Sequence, residues 1–187
     1  MSDQHPPAAG IDLQPDEVMF SPAVRAVQKR HGSRETHARQ ATAGRFSRVL
    51  STDVIAFIGE RNSAYFATAS ADGQPYVQHR GGPPGFLKVL DERTVAFAEY
   101  AGNKQYISIG NLAENECSLL FLMDYAEARR LKLWGRARVA GEPALLTRLA
   151  DPAYSARVEQ AVVFTVLAWD WNCSQHIPRL VPAEPAR

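Results

Sequence analysis

Two runs of the chain, "CSLLFLM" at 117–123 and "AVVFTVLAW" at 161–169, are apolar at both parities. A half-buried strand alternates, so a strand that does not alternate needs cover on both faces. Neither run approaches the roughly 18–20 apolar residues of a membrane-spanning helix. One face of each strand therefore lines a core. The other is covered by a helix or by a second copy of the chain. The helices available are few, so the expectation is a homodimer.

The other strand-like runs come in quick succession. "SAYFATASADGQPYVQHRGG" holds two, joined at Asp72-Gly73, a strong hairpin signal because Gly tolerates positive φ. "FLKVL" and "TVAFAEY" form a second pair across "DER", and "RRLKLWGRARVAG" precedes the final run. Helices are expected from Ser21-Pro22 to a stop at Gly32, over 45–59, over about 104–112, and from Pro143 over 143–149. The pattern predicts a mainly β domain with flanking helices. Its six antiparallel strands close into a barrel, because closure removes exposed edges. The domain is expected over 21–179, between a flexible N-terminal arm, 1–20, and a flexible tail, 180–187, both rich in Pro and Ala.

A net charge of +1 argues against a broad nucleic-acid footprint. The N-terminus lacks the basic and apolar regions of a secretory signal, so a cytoplasmic protein with no membrane contact is expected. Cys117 and Cys173 then read as reduced thiols.

Three clusters could carry chemistry. In "YVQHRGGPPG", Gln78 and Arg80 share one strand face and His79 points the other way. Arg80 suits bidentate phosphate or carboxylate recognition, and also fits a solvated edge. In "AGNKQYISIGNLAENE", Asn103, Lys104 and Ser108 stand at a helix start that could cradle a phosphate or simply cap the helix. Neither a Walker loop nor a dinucleotide fingerprint is present. In "WDWNCSQHIPR", Trp169, Trp171, Asn172, His176 and Arg179 offer flat faces and amide edges suited to a ring system, or to an interface. Cys173 and His176 lack the partners that a metal site or a nucleophile pair needs, so no metal is expected. The run Arg129, Arg130, Lys132, Arg136 and Arg138 reads as a solvated strand face.

Taken in this order, the stretches "FATASADGQPYVQHRGGPPGFLKVLD", "YAGNKQYISIGNLAENE", "LFLMDY", "LKLWGRARV" and "WDWNCSQHIPR" resemble the pyridoxamine 5'-phosphate oxidase-like split-barrel flavoproteins from about residue 45 to 179. The resemblance implies FMN held where two subunits meet. It implies a first contact group of Gln78, His79 and Arg80, a second of Asn103, Lys104 and Ser108, and a third, from the partner, of Trp169 or Trp171 with Asn172, His176 and Arg179. It implies oxidoreductase chemistry on a small substrate, with NADH or NADPH as a candidate electron donor. The late Arg–x–His pair of the vitamin-making enzymes is replaced here by "SQHIPR", which points to another substrate than pyridoxamine phosphate. Rival readings are a split barrel using F420 or haem, and a flavin-binding or redox-sensing module without turnover.

Overall fold

A computed structural model describes residues 13–102, 104–151 and 156–180. Strands β1 (Ser63–Ala69), β2 (Pro75–Gly81), β3 (Lys88–Asp91), β4 (Thr94–Tyr100), β5 (Cys117–Asp124), β6 (Arg129–Ala140) and β7 (Val158–Trp171) form one antiparallel sheet, in the order β2-β1-β5-β6-β7-β4-β3. The sheet has seven strands, where six were expected. Each of the seven strand-like runs forms a strand, and the shortest is β3, four residues from "FLKVL" at the sheet edge, paired with β4.

The ladder runs from β2 to β3 without joining them, yet the sheet curls. Phe66 of β1 and Phe97 of β4 stack edge to face at 5.5 Å, although three strands separate β1 from β4 in the sheet order. The inward rows Phe66, Leu120, Leu122, Leu131, Leu133 and Phe164 are fully buried in one core. Each such side chain contributes about 1.5–3 kcal/mol.

The helices are α1 (Pro15–Met19), α2 (Pro22–Arg30), α3 (Arg34–Thr42), α4 (Thr52–Gly59), α5 (Ile107–Glu114) and α6 (Pro143–Leu149). α1 falls within the segment expected as an arm. α2 starts as expected, with the Ser21 hydroxyl accepting from the Val24 amide, and Gly32 follows its end at φ 72°. The helix expected over 45–59 begins only at Thr52, where Ser51 caps it by accepting from the Val54 amide. The residues before it bond to the sheet instead: Ser47 accepts from the Trp169 amide at 3.1 Å, and the Leu50 amide donates to Glu92 at 2.8 Å. α6 forms where expected and covers a second apolar cluster of Ala96, Ala140, Leu149, Ala161 and Val163.

The doubly apolar runs behave unequally. The outward side of β7 is covered by α6 near Val163. On the outward side of β1, β2 and β5, Tyr65, Ala67 and Phe121 are half-buried, while Val77 is 59% exposed. Cys117 and Cys173 are both free and exposed. Among the described residues no helix is long and apolar enough to cross a membrane.

Candidate functional site

A cleft of about 310 Å³ opens where the ladder is unjoined, between β2 and β4, and the approach to α5 closes one end. β2 supplies Tyr76, Gln78 and Arg80, β4 supplies Phe97 and Glu99, and the segment entering α5 supplies Lys104, Tyr106 and Ser108. Glu159 of β7 completes the wall.

Arg80 is the central side chain. Its Nη1 donates to Glu99 Oε1 at 2.7 Å, and the two side chains are only 12% and 14% exposed. The guanidinium carbon lies 5.8 Å from the centre of the Phe97 ring. Nε and Nη2 of Arg80 and Oε2 of Glu99 are buried without hydrogen-bond partners among the described residues. Leaving such groups unpaired costs about 1–3 kcal/mol or more each, so the cleft favours a ligand that supplies the missing partners.

Gln78 sits two residues before Arg80 on the same face, as strand parity requires. Its Oε1 accepts from the Ser108 hydroxyl at 3.1 Å, which leaves the amide N–H groups as donors. Ser108 is buried at 2% exposure. α5 is fastened to the first hairpin by two more side chains: Asn111 Nδ2 donates to Thr68 Oγ1 at 3.0 Å, and Asn115 Nδ2 donates to the Ser70 carbonyl at 3.3 Å. On the opposite wall, the Tyr106 hydroxyl lies 3.4 Å from Glu159 Oε2, and Arg157 holds Oε1 at 3.0 Å.

α5 starts at Ile107, later than the expected residue 104. Lys104 and Tyr106 both take left-handed backbone, at φ 59° and 50°. Non-glycine residues hold that conformation at a cost, and such positions concentrate at binding sites. Lys104 therefore reaches the cleft from a bent loop, one turn ahead of the helix, and does not belong to its first turn.

The structure thus brings together Gln78, Arg80, Lys104 and Ser108. His79 borders the cleft, but its ring lies on the other sheet face, 5.7 Å from the Tyr65 ring. Asn103 lies outside the described residues. The C-terminal group does not line this cleft within one chain. The Trp169 indole donates to the Val49 carbonyl at 2.9 Å. Trp171 packs edge to face on Phe57 at 4.8 Å, under the Arg129 guanidinium at 4.5 Å. Asn172 lines a separate hollow with Phe46 and Lys132, its Oδ1 buried and unpaired. His176 and Arg179 are exposed. The sequence reading missed Glu99 and Glu159 as lining residues. Parity could have found the first: Val95, Phe97 and Glu99 share one face, and the first two are fully buried.

No cluster of three or more potential metal ligands occurs among the described residues. The chemistry on offer is anion binding. Two cations, Arg80 and Lys104, face a cleft whose two carboxylates are already held by Arg80 and Arg157. A phosphate-tailed ligand such as FMN fits this donor set: the unpaired Nε and Nη2 of Arg80, the Lys104 ammonium and the Gln78 amide.

Known proteins resemble the chain in fold and in sequence profile. No curated protein matches it. Among solved structures, a histidine-to-alanine variant of HupZ from Group A Streptococcus shares 16% identity, covering 66% of this chain and 99% of that one, with a TM-score of 0.54. A candidate pyridoxamine 5'-phosphate oxidase from Lactobacillus delbrueckii shares 18% identity over 66% of this chain and 94% of that one, with a TM-score of 0.50. Rv2991 of Mycobacterium tuberculosis shares 14% identity over 73% and 95%, with a TM-score of 0.50. At these identities the likeness is one of fold. The sequence profile described as pyridoxamine 5'-phosphate oxidase matches residues 50–182, well over half of the chain. The chain belongs to the pyridoxamine 5'-phosphate oxidase family.

Proposed function

We propose that the protein binds FMN and works as a flavin-dependent oxidoreductase on a small substrate other than pyridoxamine phosphate. The observation that carries this reading is the pair of buried, unpaired donors on Arg80 beside Lys104 in the cleft between β2 and β4. The family supports it, and so does the replacement of the substrate-gripping Arg–x–His pair by "SQHIPR".

When bound, FMN supplies hydride and single-electron transfer. The protein's residues bind and orient. Lys104 and Arg80 neutralise a phosphate, and Glu99 holds the guanidinium in its plane. Gln78, held by Ser108, turns its amide donors toward the ligand. Phe97 and Tyr106 wall the cleft against water. The working form is a homodimer, with the exposed His176 and Arg179 of each chain reaching toward the other's cleft, and NADH or NADPH serving as electron donor.

Absorbance and mass of the co-purifying cofactor test the reading. The expected result is a flavin spectrum and the mass of FMN. Lys104→Ala weakens flavin binding by about tenfold or more, the scale of a lost charged hydrogen bond. Arg80→Ala, made together with Glu99→Gln so that no carboxylate is stranded, does the same. A Soret band, the mass of F420, or full flavin occupancy in both variants overturns the assignment. Rapid-mixing reduction by NADH or NADPH, then oxygen, distinguishes a cycling enzyme from a flavin-binding module.

A further inference from the structure

A second cleft, of about 650 Å³, lies away from the Arg80 site, where the N-terminal segment meets the turn between β3 and β4. Arg34 and Arg48 from the N-terminal segment and Arg93 from the turn all line it. Among the described residues, its single carboxylate is Asp16. That carboxylate is already shared: Arg25 binds it at 3.1 Å, and Arg34 lies at 4.0 Å from the same oxygen. Arg48 donates to the Leu13 carbonyl and has no carboxylate within ion-pair distance among the described residues. Among the described residues, the carboxylate within ion-pair distance of Arg93 is that of the exposed Glu92, at 3.6 Å. Three guanidiniums around one cleft repel each other unless an anion joins them, and Arg is the side chain whose planar fork matches phosphate oxygens. Phe46 and Val49 add an apolar wall, and the volume falls in the range of small-molecule sites.

We propose that this cleft is a second ligand site, which takes a small molecule bearing a phosphoanhydride, with its two phosphates bridged between Arg48 and Arg93. The matched family region begins at residue 50. Apart from Arg93, every lining residue precedes it, so the N-terminal segment builds the site onto the family's barrel. The proposal does not rest on the flavin reading.

Isothermal titration of the full chain with inorganic pyrophosphate tests it, with orthophosphate and sulfate as comparisons. Pyrophosphate is expected to bind the unmodified protein more tightly than either comparison anion does. Arg93→Gln and Arg48→Gln each weaken it by about tenfold or more. Arg93 is exposed and its replacement spares the fold, so this variant decides the matter if Arg48→Gln misfolds. The proposal is overturned if pyrophosphate does not bind, or binds no better than sulfate. It is equally overturned if Arg93→Gln leaves binding intact.

Discussion

Arg61 shows how a charged side chain is kept inside this fold. It is 11% exposed, donates to Asp124 at 2.7 Å and stacks over the Phe57 ring at 4.3 Å. Burial alone pushes the Asp124 carboxyl upward, but the Glu127 amide and Arg61 outweigh it, and the group sits below its ordinary value of 3.8. Arg61→Ala strands that carboxylate and is expected to cost about 3 kcal/mol in urea unfolding. Because the folded value is depressed, the stabilisation is complete above 3.8 and is lost as pH falls through the lower folded value. Asp124→Asn therefore flattens the acid limb of a stability–pH curve. Asp170 has the opposite sign. Burial raises its carboxyl and Arg45, Lys132 and His37 offset only part, so its contribution is present below 3.8 and fades as pH rises through the folded value. At this scale the sequence was legible wherever parity governs. Gln78 and Arg80 share a face because alternate strand residues must. Lys104 was harder to place, because two left-handed residues in one short loop leave no periodic trace. The commitment of Trp169 to a carbonyl 120 residues away could not be read from local pattern at all.

Among the elements, the β6–β7 pair has the tightest tolerance. The register shifts between Trp134 and Gly135, and Gly135 lies against its neighbour so closely that an added Cβ would meet the Thr165 carbonyl and come within 2.6 Å of the Phe164 ring. Gly135→Ala is expected to destabilise by about 1–3 kcal/mol, read as a lowered midpoint in thermal or urea unfolding. Helix starts followed their caps. Ser21-Pro22 and Pro143 marked α2 and α6 correctly, and Ser51 marks the true start of α4. Helical spacing misled over 45–51 because Phe46, Val49 and Leu50 are apolar in a segment that bonds to the sheet. The pair "FLKVL" and "TVAFAEY" was read as two strands and forms β3 and β4, although β3 keeps only four residues.

For the whole molecule, the apolar outward face of β1, β2 and β5 carries the expectation of a dimer. Val77, a large apolar side chain 59% exposed on that face, lies on the strand that also presents Gln78 and Arg80. Val77→Glu is expected to shift sedimentation toward the monomer and to lower flavin content with it; a variant that remains dimeric and fully flavinated places the subunit contact elsewhere. The sheet's order bears on how the chain comes apart. β7, at 14 residues the longest strand, lies between β6 and β4, and its far end also holds Ser47 and Val49 through Trp169 and Arg45 through Asp170. A zipper with teeth on both sides cannot be opened halfway. Amide exchange along β7 should therefore be slow and uniform from Ala161 to Trp169, and the segment at 45–50 should exchange in step with it rather than fray first.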